Sequence, residues 1–132
     1  MILLDTHVLL WLRAGDSRLG SRAQDEIDRA WSAGELAVSA ISFWEVAMLN
    51  AKGRIRLEEE VLTWRRRQLE QGMIEIAVDG EIGIRAASLE QFHPDPADRI
   101  IVATALAGHR LATADSRILG WPGQLNRISA ID

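Results

Sequence analysis

Cysteine is absent from this chain. That excludes a disulfide framework, thiolate zinc sites and cysteine nucleophiles together. No apolar run approaches the roughly 20 residues that a membrane-spanning helix needs. The opening residues Met1-Ile2-Leu3-Leu4-Asp5 lead straight into an apolar strand, without the charged region and apolar stretch of a signal peptide. The expectation is a cytoplasmic protein. Lysine is nearly missing, since Lys52 stands alone beside fourteen arginines. Arginine suits bidentate contacts to phosphates and carboxylates. A surplus of positive charge is lacking too: 19 acids against 15 bases give a net charge of −4, which at first argues against a nucleic-acid partner. If four carboxylates gather around cations in one pocket, however, the rest of the surface is neutral and still able to carry local basic patches.

What is present describes one globular unit. A chain of 132 residues, 48% of them hydrophobic, has the size of one domain spanning residues 1–132 and enough apolar surface for a core. Ile2 to Leu4 is a short apolar run ending in Asp-Thr, a buried strand followed by a helix start. The spacing predicts helices over His7–Leu12, Ser21–Ala33, Ser42–Ala51, Leu57–Gln71 and Asp79–Leu89, one from Asp95-Pro96 to Ala107, and a helical turn over Ser116–Leu119. It predicts strands over Leu36–Ser39, Ile74–Val78, Leu111–Thr113 and Arg127–Ala130. Strands alternating with helices at this spacing mean βαβ units, a mainly parallel sheet and a three-layer α/β/α fold.

Parallel sheets of this kind carry their sites beyond the carboxyl ends of the strands. Asp5 follows the first strand and Asp115 the fourth; Glu45 lies on the helix entered from the second, and Asp98 at the head of the long apolar helix. Each has an ordinary alternative. Asp5 and Asp115 are also good N-caps, and Asp98, three residues after the cap Asp95, also suits a capping box and the helix dipole. Glu45 is harder to explain structurally, being the only charged residue between Leu36 and Leu49. A buried lone carboxylate is costly without a partner or a metal. As a set, four acids repel unless cations neutralise them. Oxygen ligands without cysteine or paired histidine select Mg²⁺ or Mn²⁺ over Zn²⁺, the ions of phosphodiester hydrolysis.

The segments Leu3-Leu4-Asp5-Thr6-His7-Val8, Ser42-Phe43-Trp44-Glu45-Val46-Ala47, Asp95-Pro96-Ala97-Asp98-Arg99 and Thr113-Ala114-Asp115 resemble the four signature regions of PIN-domain proteins. More closely, they resemble those of the toxin subunits of VapBC-type toxin–antitoxin pairs. The ordered set spans nearly the whole chain. The resemblance implies a five-stranded parallel sheet, a homodimer, Mg²⁺- or Mn²⁺-dependent endoribonuclease activity on RNA, and a small antitoxin partner. It implies Asp5 and Asp98 as the best metal ligands, with Glu45 and Asp115 completing the centre. Thr6 and Thr113 fall where such proteins carry hydroxyls that orient water or carboxylates; local capping or strand packing is their alternative.

Other residues are less pointed. Arg99 beside Asp98 reads either as a group that orients a carboxylate or binds substrate, or as half of a structural ion pair. Arg65-Arg66-Arg67 and the Arg54/Arg56 pair suit RNA phosphates or an acidic partner, but Glu58 to Glu60 lies nearby, and the solvated-surface reading is favoured. His7, His93 and His109 are too scattered for a histidine metal motif. His93 precedes Pro94 in a loop, and the other two read as structural. Trp11, Trp31, Trp44 and Trp64 sit among apolar helix positions and read as core. Exposed apolar residues on the early helices would form a dimer or antitoxin groove. An aspartate-nucleophile phosphatase or phospho-receiver fits poorly, because His7 stands two residues after Asp5 and no lysine comes late in the sheet. Two readings stay open beside the toxin: a binding module without turnover, and a housekeeping RNA-processing nuclease.

Overall fold

The computed structural model describes residues 1–132. Its five strands are β1 (Ile2–Leu4), β2 (Leu36–Ser39), β3 (Ile74–Ile76), β4 (Arg110–Thr113) and β5 (Arg127–Ser129). All pair in parallel, in the order β3-β2-β1-β4-β5. The helices are α1 (Thr6–Ala14), α2 (Ser21–Ser32), α3 (Ala40–Ala51), α4 (Val61–Glu70), α5 (Gly80–Ala87), α6 (Pro96–Leu106) and α7 (Ser116–Leu119).

The strands are apolar almost throughout because both faces of the sheet are covered. Successive side chains point to opposite faces, and the two cores divide accordingly. Leu4, Val38, Ala112 and Ile128 join Val8 and Leu9 of α1, Ala23 and Ile27 of α2, Phe43 and Val46 of α3, and Trp64 of α4. Leu3, Ala37 and Leu111 face the other way, onto Ile101, Val102 and Ala105 of α6, Ile118 and Trp121. This is the expected three-layer arrangement.

The strand order also places the site. The chain moves from β1 outward to β3, then returns to lay β4 on the opposite side of β1. The connections after β1 and β4 therefore diverge to opposite faces, opening a crevice at their carboxyl ends. Asp5 and Asp115 stand at the ends of these two strands. The backbone N–H of Asp5 donates to Ala112 O at 2.9 Å, stitching the crevice shut just below them.

Several boundaries differ from the sequence expectation for identifiable reasons. The helix expected from Leu57 begins at Val61. Leu57 N–H is taken by Asn50 Oδ1 at 3.3 Å, and Ile55 and Leu57 pack against the core from a loop. The strand expected to reach Val78 stops at Ile76, where its register with Ser39 of β2 ends, and Val78 is exposed. Helix α3 starts two residues early because Ser39 caps it, accepting from Ile41 N–H at 3.2 Å. Trp44 is not core: it is 54% exposed, on the outward side of α3. Gly15 closes α1 at φ 63°, a left-handed position that suits glycine at a helix end.

Candidate metal centre

Four helix beginnings deliver the polar groups. At the end of β1, Asp5 turns the chain into α1 as its N-cap. Its Oδ1 accepts from Thr6 N–H at 2.8 Å, while Oδ2 accepts from the Thr113 hydroxyl at 2.7 Å. The carboxylate, only 4% exposed, is thus oriented by both strands of the crevice. Capping and a place at the crevice, alternatives when read from the chain alone, coexist in this residue. Each oxygen accepts a single hydrogen bond and keeps a lone pair for another partner.

One turn into α3, Ser42 and Glu45 face Thr6. The Thr6 hydroxyl lies 2.8 Å from Ser42 Oγ and hydrogen-bonds Glu45 Oε1. With a single proton, Thr6 donates to the carboxylate and accepts from Ser42. Glu45 is therefore half-buried at the crevice rather than solvent-facing.

At the head of α6, Asp95 and Asp98 divide the work that the sequence left ambiguous. Asp95 is exposed and caps the helix, accepting from Asp98 N–H at 3.0 Å. The Asp98 side chain turns inward instead, where its Oδ2 lies 2.7 Å from His93 Nε2 and 3.5 Å from Arg117 Nη2. Asp115 caps α7 through Arg117 N–H at 2.8 Å and pairs with the Arg117 guanidinium at 3.0 Å. One ligand atom from each of His93, Asp98 and Asp115 lies within 4.8 Å of the others.

The electrostatics tie the four acids together. Burial pushes Asp5 above its ordinary range; the Thr113 hydroxyl opposes the shift and the charge of Asp98 adds to it. Burial likewise raises Glu45, with the charges of Asp5, Asp98 and Asp95 adding to it against the Thr6 hydrogen bond. Asp98 is raised by burial, then lowered by the His93 hydrogen bond and raised again by Asp95 and Asp115. For Asp115 burial works upward, but the hydrogen bonds and charge of Arg117 outweigh it and hold the group low. Three carboxylates thus resist ionising, and the basic side chains within ion-pair distance of the set are one imidazole and one arginine that is itself 59% exposed. Clustered oxygens with one nitrogen, no thiolate, and uncompensated negative charge fit a hard or borderline divalent cation.

Among the residues anticipated from sequence, Asp5, Glu45, Asp98, Asp115, Thr6 and Thr113 share this crevice. Arg99 does not reach it and makes no ion pair with a carboxylate. Its guanidinium donates instead to five carbonyls of the preceding segment: Ala86 (2.9 Å), Ala87 (3.4 Å), Leu89 (2.8 Å), Phe92 (3.0 Å) and His93 (3.3 Å). That grip explains why α5 stops at Ala87 rather than Leu89: its last carbonyls are drawn to Arg99. His93, Arg117 and Ser42 were not anticipated. The signal for His93 was faint, a histidine five residues before an acid and separated from it by a proline turn.

A second feature lies on the α1 and α4 side. A groove of about 980 Å³ is lined by Leu10, Trp11, Ile55, Leu57 and Trp64, with Arg13, Arg18, Arg54, Arg56 and Arg67 around it. No helix in the structure is long and apolar enough to cross a membrane.

The family described as PIN domain matches residues 2–120. Ribonuclease VapC22 of Mycobacterium tuberculosis is 40% identical over 119 residues, covering 89% of this chain and 88% of that protein. A solved structure described as a toxin–antitoxin complex from Klebsiella pneumoniae superposes with a TM-score of 0.66 at 25% identity, covering 98% of both chains. A parallel sheet with a crevice at its switch point, acids gathered there from four separate segments, and a family match over nine-tenths of the length lead to one assignment: this chain belongs to the PIN-domain family.

Proposed function

We propose that this protein is an endoribonuclease that cleaves RNA phosphodiester bonds, and that it is the toxin of a toxin–antitoxin pair. The observation that carries the proposal is the crevice itself, where four coupled carboxylates face one arginine and one imidazole. The 40% identity to a protein named a ribonuclease supports the same chemistry. We assign Asp5, Glu45, Asp98 and Asp115 as the acidic centre and as ligands of Mg²⁺ or Mn²⁺. Such an ion, when bound, supplies an activated water and neutralises charge on the phosphate.

The chain's own residues prepare that site. Thr113 and the Thr6 amide fix the Asp5 carboxylate, and the Thr6 hydroxyl fixes Glu45. Ligands held before the ion arrives lose little freedom on binding. Asp98 and Asp115 stand beside Arg117, whose 59% exposed side chain can turn from them to a substrate phosphate.

The groove beside α1 and α4 suits the antitoxin, since an amphipathic segment seats apolar anchors in such a groove and meets Arg13, Arg54 and Arg56 with acids, while Arg18 and Arg67 are already paired with Asp16 and Glu59. We also read the protein as a homodimer; exposed Trp44 and Ile84, at 54% and 71%, are the side chains that a second copy would cover. The decisive experiment is cleavage of a structured RNA by purified protein with Mg²⁺, with Mn²⁺ and with EDTA, beside Asp98→Asn. Metal-dependent cleavage that the variant lacks supports the proposal. A folded, metal-loaded protein that cleaves none of a varied RNA set would point to a binding module instead.

A further inference from the structure

We propose that His93 is a direct nitrogen ligand at the Asp98–Asp115 end of the acidic centre, and that it biases the centre toward a first-row transition ion over Mg²⁺. The inference rests on the metal-centre reading above and specifies which ion that centre prefers.

The geometry comes first. Atoms that share one six-coordinate ion at about 2.1 Å lie about 3 Å apart when adjacent and about 4.2 Å apart when opposite. His93 Nε2 lies 2.7 Å from Asp98 Oδ2, and with an Asp115 oxygen the three donors fall inside 4.8 Å. Without an ion the Nε2–Oδ2 contact is a hydrogen bond; in the tautomer that carries its proton on Nδ1, the same Nε2 has a lone pair to give to an ion that takes the place of the shared proton. The side chains of His93 and Asp98 are only 12% and 14% exposed, so a donor here is shielded from competing water.

The position of the imidazole is built independently of Asp98. Its ring stacks on Phe92, with centroids 4.3 Å apart and planes at 24°. Phe92 meets the edge of Trp121 at 5.6 Å, and Trp121 Nε1 donates to Glu90 O at 2.9 Å. Arg99 grips the carbonyls of Leu89, Phe92 and His93 from the other side. Ring, backbone and guanidinium hold this loop whether or not the hydrogen bond to Asp98 exists. A fixed donor that shares a site with carboxylates is what a metal centre requires of its ligands.

The consequence is selectivity. Mg²⁺ takes oxygen ligands and sheds water reluctantly, so an imidazole adds little to its affinity. First-row transition ions accept imidazole more readily than Mg²⁺ does, Mn²⁺ the least strongly among them. Thr6, Glu45 and Asp5 form the all-oxygen end of the crevice; His93 makes the other end different.

The test uses the full-length protein with Mn²⁺ and Mg²⁺ as probes, and reads binding rather than activity. Titration calorimetry gives the two affinities for wild type, His93→Gln and Asp98→Asn, and thermal melts establish that each variant is folded. Pulsed EPR of bound Mn²⁺ reads coupling to an imidazole nitrogen. The expected result is nitrogen coupling in wild type that His93→Gln abolishes. With it, Mn²⁺ affinity falls by a clearly larger factor than Mg²⁺ affinity, which changes by no more than about threefold. Unchanged affinity ratios and no nitrogen coupling, with binding still lost in Asp98→Asn, would overturn the inference while leaving the metal centre standing. Metal binding that is absent in wild type, or indifferent to Asp98→Asn, would overturn the metal-centre reading and this inference with it.

Discussion

Charge is handled differently at the acidic crevice and on the outer helices. On the outer helices and the segments beside them, ion pairs are matched one to one. Arg18 meets Asp16 at 2.7 Å, Arg67 meets Glu59 at 2.7 Å, Arg65 meets Glu75 at 2.7 Å and Arg85 meets Glu81 at 2.9 Å. The partners respond as compensated charges do: the Arg18 hydrogen bonds pull Asp16 down to about 2, and those of Arg65 lower Glu75. In the crevice, burial and mutual repulsion raise Asp5, Glu45 and Asp98 instead. The difference teaches where to look for function. Matched pairs complete themselves within the chain, whereas the crevice gathers carboxylates that the chain's own basic groups leave partly unmatched.

The sharpest way to break the contrast is to remove one crevice carboxylate. Asp98→Asn is expected to lower RNA cleavage by about a thousandfold or more, measured as initial rate at saturating metal. The same change removes a repelled charge, so in EDTA the variant is expected to melt a few degrees above wild type, about 2–4 °C. A variant that melts lower in EDTA would mean that the acids are already compensated.

The next largest effect concerns the support of the crevice. Arg99→Ala leaves five carbonyls without their donor and frees the loop that carries His93. A loss of stability on the order of 2–4 kcal/mol is expected in denaturant titration. An unchanged midpoint would show that water replaces the guanidinium at no cost.

A subtler comparison is the pH dependence of stability. Asp5, Glu45 and Asp98 have raised pKa values in the folded state. Their contribution is complete below the ordinary carboxylate range and is lost as pH climbs through the raised values. Asp115 is lowered and acts oppositely, losing its contribution as pH falls below the ordinary value of 3.8. In EDTA the melting temperature should therefore decline as pH rises above the ordinary carboxylate range, by a few degrees. Saturating Mn²⁺ should flatten or reverse the slope, because it binds the ionised form. A slope indifferent to metal would separate the crevice from any cation.

The smallest effect belongs to the outer helices. Arg85→Ala removes one exposed pair four residues apart on α5 and should shift the melting temperature by no more than about 1–2 °C. Cleavage should stay within about twofold of wild type, since surface changes away from a site have small effects.

Much of this was legible along the chain because it depends on neighbours. The apolar runs at Ile2–Leu4 and Leu36–Ser39 announce buried strands, and Asp5, Asp95 and Asp115 announce helix starts within one turn of themselves. The lone charge at Glu45 stood out because an acid among apolar residues needs a distant explanation, and the structure supplies a partner in Thr6, 39 positions away. Trp44 was misjudged for the opposite reason. Its apolar neighbours on α3 resemble a core segment, and only the packing of α3 against the sheet decides which of them faces out.

The sequence by itself determined the alternation of strands and helices, the acids that end or follow them, and the absence of any cysteine chemistry. Those properties follow from periodicity and side-chain type over a few residues. The tertiary structure alone decided that Thr113 reaches Asp5 across 108 positions, that Arg99 holds a loop rather than a carboxylate, and that His93 arrives beside Asp98. Those outcomes depend on strand order and on how a loop closes over the sheet edge. Neither property is written in a local pattern, because the contacts that set them are made by residues far apart along the chain.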